Sequence, residues 1–75
     1  MNKFKVNDDK TICEVYRVSR AKNVPDILLG VVTIKADGEI EKEIVTDLGG
    51  FPLYDALVQL GIMTQIEANI KALGF

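Results

Sequence analysis

The stretch Thr33–Ile44, TIKADGEIEKEI, decides the fold. Two halves with strand character flank Asp37-Gly38, a dipeptide that marks a β-hairpin. A two-residue loop would set Ile34 opposite Glu41 and Val32 opposite Glu43, mixing apolar and acidic groups on one face. A three-residue loop, Ala36-Asp37-Gly38, instead pairs Ile34 with Ile40, Lys35 with Glu39, Thr33 with Glu41 and Gly30 with Ile44. Directly opposed residues share a face, so the second register keeps each face uniform. A type I turn closed by a bulge needs a left-handed residue at the last loop position, and Gly38 supplies it. The three-residue loop is the expectation.

In that register Glu39, Glu41 and Glu43 line one face of the last strand, and Ile40 and Ile44 line the other. Lys42 then points inward, opposite Val32. An inward charge keeps an edge strand from pairing with another chain, so this strand reads as a protected edge.

Outward from the hairpin, Ile27–Ala36 (ILLGVVTIKA) is a near-continuous apolar run. Such a run suits a central strand covered on both faces, or one whose second face meets a partner. Upstream, Thr11–Val18 is rich in β-branched and aromatic residues, and Lys3–Val6 alternates polar and apolar. Asn7–Lys10 is a turn cluster, and Ser19–Asp26 is a loop with Pro25 preventing regular pairing.

Downstream, Gly49-Gly50 forms a joint. Pro52 fits a first helical position, and Leu53, Ala56, Leu57 and Leu60 recur at i, i+3, i+4, i+7. Gly61 ends that helix, with Ile62 reaching back to Leu57. Thr64-Gln-Ile-Glu67 is a capping box that opens a second helix. Its core stripe reads as Ile66, Ile70 and Leu73, with Glu67 and Lys71 as an i, i+4 pair. Gly74 repeats the stop, and Phe75 is expected to reach Ile70. Strands first and helices last indicate an α+β fold. The expected architecture is an antiparallel meander of three to four strands (about 3–6, 11–18, 27–36 and 39–46). A C-terminal helical hairpin (about 52–60 and 64–73) packs on one face.

The chain has 75 residues, which bounds it to one domain, 1–75. An apolar fraction of 48% with 27% charged residues argues against disorder. A chain this short buries only about 60% of its unfolded surface, so association with a second copy is a reasonable expectation. The net charge is −2, a poor match for nucleic acid. The charge is uneven: residues 1–35 hold seven basic against four acidic groups, and residues 36–75 hold two against seven. The single cysteine, Cys13, excludes an internal disulfide and fits a reducing, cytoplasmic compartment. No signal peptide is visible, and Ile27–Ile34 is too short to span a bilayer.

Chemistry is thin. There is no histidine, and Ser19 is the only serine, with no base beside it. One cysteine without histidine builds no typical zinc site, and neither Asp8-Asp9 nor Asp37-Gly38-Glu39 has calcium-loop spacing. No phosphate-binding glycine motif exists. The expectation is no enzyme, no cofactor and no metal site. The helix–Gly61–helix segment has the outline of a DNA-binding helix-turn-helix, but its second helix carries one lysine and no arginine.

Two clusters stand out. Tyr54 and Val58, flanked by Asp55 and Gln59, lie off the core stripe of the first helix, as an interface anchor with a polar rim would. Arg17, Arg20 and Lys22 form the densest basic group, suited to an anion or nucleic acid. The expected function is a small non-catalytic protein-binding module: a regulator, inhibitor or accessory subunit of the kind viruses and mobile elements encode. A nucleic-acid-associated regulator using Arg17, Arg20 and Lys22 is the alternative. A small-ligand binder at an oligomer interface is the third reading.

Overall fold

The structure is a computed structural model that describes residues 1–74. Four strands, β1 (Asn2–Val6), β2 (Ile12–Arg17), β3 (Ile27–Ile34) and β4 (Ile40–Ile44), precede two helices, α1 (Leu53–Gln59) and α2 (Gln65–Ala72). The strands form one antiparallel sheet in the order β1-β2-β3-β4, so the chain is an α+β meander capped by a helical pair.

The decisive hairpin takes the three-residue loop. Ile34 pairs with Ile40, Thr33 with Glu41, Val32 with Lys42 and Gly30 with Ile44. The Lys35 amide donates to the Glu39 carbonyl, and the Gly38 amide to the Lys35 carbonyl, both at 2.8 Å. Gly38 has φ of +88°, the left-handed position the bulged turn requires. The Asp37 carboxylate accepts the Glu39 amide at 2.9 Å and holds the loop closed. Inward-pointing Lys42 brings its ammonium 6.0 Å from the centre of the Phe51 ring, at the limit of a cation–π contact.

One irregularity was not expected. Val15 pairs with Gly30, but the next residue, Tyr16, pairs with Leu28, so Leu29 is a bulge in β3. Leu29 is buried, and its carbonyl accepts the amides of both Val45 and Thr46, at 2.9 and 3.1 Å. Gly30 lies beneath Phe51: a Cβ there would sit 2.4 Å from the Glu43 carbonyl oxygen and 2.8 Å from the ring. Only glycine fits. The bulge therefore fixes where the chain leaves β4 and where Phe51 comes to rest.

The core is one cluster of Cys13, Val15, Leu29, Val32, Ala56, Leu57 and Leu60, with Phe4, Val6, Ile34, Phe51, Leu53 and Met63 packed around it. α1 lies on β1, β2 and β3 with its expected stripe inward. It ends in a Schellman motif, with the Ile62 amide donating to the Leu57 carbonyl and Gly61 at φ of +79°.

The second helix departs from the sequence reading. Its buried residue is Ala68, 1% exposed, whereas Ile66 and Leu73 are each 72% exposed and Ile70 is 46% exposed. The stripe expected to face the core faces outward. α1 makes the helical contacts with β1, β2 and β3, and α2 packs mainly against α1, where the small side chain of Ala68 allows close approach. The expected contact of Phe75 with Ile70 lies outside the described residues.

Candidate functional site

α2 is positioned by its two ends. The Thr64 hydroxyl accepts the Glu67 amide and the Glu67 carboxylate accepts the Thr64 amide, each at 3.2 Å. That capping box satisfies two donors the helix start would otherwise leave unpaired. It also engages the Glu67 carboxylate, and the expected ion pair with Lys71 does not form. Beyond the helix, Gly74 has φ of +84° and its amide donates to the Lys71 carbonyl at 3.0 Å. Laterally, the Gln65 amide nitrogen donates to the Asp55 carboxylate at 3.3 Å and to the Asn69 carbonyl oxygen at 3.0 Å. The face against α1 is thus small and polar.

The outward face is large and apolar. Ile66, Ile70 and Leu73 recur at i, i+4, i+7, and Ile62 precedes them, 43% exposed despite its backbone bond to Leu57. Single apolar surface residues are ordinary, whereas here three large aliphatics share one exposed helical face.

Of the residues marked from the sequence, Tyr54 is 37% exposed, Asp55 and Val58 are half-buried, and Gln59 is exposed. Tyr54 and Asp55 line an open groove of about 490 Å³ with Asn2, Pro52, Ala68, Asn69 and Ala72. Val58 and Gln59 do not line it. Arg17 ends β2 half-buried, while Arg20 and Lys22 are exposed in the following loop. Among the described residues no ion pair engages these three; the loop's Asp26 instead pairs with Lys3 at 3.6 Å.

Two groups titrate unusually. The Cys13 thiol is fully buried, and burial pushes its pKa up. The Glu14 charge adds to that rise, and a hydrogen bond to the Lys5 backbone partly offsets it. A thiol held protonated is a poor nucleophile. The Tyr16 hydroxyl is also raised, first by desolvation and then by the Glu14 and Asp26 carboxylates. Among the described residues, no three His, Cys, Asp or Glu side chains are placed to hold a metal ion, and no helix is long and apolar enough to cross a membrane.

Compared with protein families, with characterised proteins and with solved structures, the chain matches none.

Proposed function

We propose that this chain is a small non-catalytic protein-binding module, acting as a regulator, inhibitor or accessory subunit, and that α2 is the element that docks. The observation that carries this reading is the exposure of Ile66, Ile70 and Leu73 on one helical face. Burying each such side chain is worth about 1.5–3 kcal/mol, which the isolated fold leaves unrealised. An amphipathic helix offered in this way suits an apolar groove on another protein, read through anchors at i, i+4 and i+7. The polar border around the stripe, Glu67 and Lys71 included, would form the rim.

The test is affinity capture from the native host with the unaltered chain and with a double variant, Ile66→Ser with Leu73→Ser. Partners should be lost from the variant while its unfolding free energy changes by about 0.5 kcal/mol or less, as for surface substitutions generally. A parallel variant, Tyr54→Ala with Val58→Ser, asks whether the partner reaches the groove side of α1 instead. Equal capture by the Ile66/Leu73 variant would remove α2 from the proposal. Retardation of DNA or RNA at low salt, abolished by Arg20→Ala with Lys22→Ala, would move the function to nucleic acid.

A further inference from the structure

Among the described residues no helix covers the face of the sheet opposite α1, and it is not an ordinary solvated face. Such a face normally alternates outward polar residues along each strand. Here the register assembles Tyr16 beside Leu28, Glu14 beside Val31 and Ile12 beside Thr33 across the two central strands. Leu28, Val31, Tyr16 and Thr33 are only half-buried, and Ile12 is exposed. Apolar character therefore runs down the middle of an open face.

The two edges of that face carry opposite charge. On β1, Lys3 pairs with Tyr16 and Lys5 with Glu14. On β4, Glu41 pairs with Thr33 and Glu43 with Val31. Lys3 is engaged by Asp26, and Glu41 by Lys35 at 3.1 Å. Among the described residues Lys5 and Glu43 have no ion-pair partner, and they lie at opposite ends of one row, Lys5–Glu14–Val31–Glu43.

We propose that this open face binds a second copy of the same chain, sheet against sheet, with β1 of each copy lying over β4 of the other. A twofold axis along the strand direction brings each row over its own reverse. Lys5 of each copy then faces Glu43 of the other, twice. An axis across the strands would stack lysine on lysine and glutamate on glutamate, so charge selects the first arrangement. It also keeps the mean strand directions of the two sheets aligned, as face-to-face sheets about 10 Å apart prefer. Glu14 of each copy then lies over Val31 of the other and keeps Lys5 as its cross-strand neighbour. The flanking pairs Tyr16–Leu28 and Ile12–Thr33 supply the apolar contact, and the edges supply orientation.

Size sets the strength. Four strands about 4.8 Å apart, each about six residues at about 3.3 Å, give a face on the order of 400 Å². Two such faces fall below the roughly 1,200 Å² of stable complexes, so the dimer is weak, reversible and sensitive to salt. This surface is distinct from the α2 stripe, and the proposal stands apart from the partner-binding reading.

The experiment is equilibrium sedimentation from micromolar to millimolar protein, at low and high salt. The unaltered chain should show a concentration-dependent monomer–dimer equilibrium that weakens with salt. Lys5→Glu alone and Glu43→Lys alone should each weaken it at least about tenfold, because like charges then oppose each other. The double reversal, Lys5→Glu with Glu43→Lys, should restore it to within a few-fold. Should a reversal disturb the fold, Lys5→Gln with Glu43→Gln should keep the fold and abolish the salt dependence. A chain monomeric throughout, or a double reversal no better than the single ones, overturns the proposal. So does an association indifferent to Lys5→Glu but lost in Ile66→Ser with Leu73→Ser, which would seat the second copy on α2.

Discussion

α1 and α2 carry similar aliphatic patterns and use them in opposite ways. α1 turns Leu53, Ala56, Leu57 and Leu60 to the sheet, while α2 turns Ala68 to α1 and leaves Ile66, Ile70 and Leu73 outside. A helical period states which residues share a face; it does not state what that face meets. The first helix after the meander finds an apolar sheet waiting. The second finds the far side of a helix, where the Asp55 carboxylate accepts a hydrogen bond from the Gln65 side-chain amide. Close approach there favours alanine over isoleucine.

The sharpest way to break this contrast is to truncate one aliphatic on each helix. Leu57→Ala should cost about 2–5 kcal/mol, as for buried leucines in general, whereas Ile66→Ser should cost about 0.5 kcal/mol or less. Chemical denaturation of the two variants measures both. Similar losses at the two positions would mean that α2 buries its stripe after all. A smaller effect is expected from Thr64→Ala, which removes the side-chain half of the capping box and should cost about 1 kcal/mol. Because α2 packs chiefly on α1, that loss should appear as faster amide exchange in Gln65–Ala72, with Leu53–Gln59 unchanged. Uniform acceleration in both helices would show that they open as one unit.

The least effect concerns the layer beneath α1. Cys13 has its pKa raised above the ordinary 9.0, and Tyr16 on the open face is raised above 10.0. Above those ordinary values the unfolded chain releases its protons first, so ionisation favours unfolding. Through these two groups, stability should decline as alkali is added above about pH 8. Cys13→Ala should shift the onset of that decline upward, leaving the Tyr16 share. An unchanged profile in Cys13→Ala would mean that the buried thiol has no part in it.

The hairpin was legible because Asp37-Gly38 and the alternation of isoleucine with glutamate fix the register from both ends. The capping box at Thr64 and the Schellman stop at Gly61 were legible for the same reason, each being local chemistry over a few residues. The bulge at Leu29 was not, since it answers to Phe51 and to the amides of Val45 and Thr46, all distant in sequence. The outward turn of α2 has a trace in the sequence. Gln65, Ala68, Asn69 and Ala72 also recur at i, i+3, i+4, i+7, as a face of small and polar residues. Two faces of one helix competed for the inside, and hydrophobicity alone chose the wrong one. On the site, Tyr54 and Asp55 border a groove formed with α2, which no α1 pattern announces.

Strand order that follows chain order has a consequence for refolding. Each strand of the meander pairs with its neighbour in sequence, and isolated hairpins close in about 1–10 μs. The cover comes from farther along the chain: α1 spans Leu53–Gln59, whereas the residues it covers, Cys13, Val15 and Val32, lie in β2 and β3. Docking a helix on the sheet closes the longer loop and is the slower step. A chain caught with its sheet paired and α1 undocked therefore exposes Cys13, Val15 and Val32, and a chaperone that binds it would meet the α1 side of the sheet.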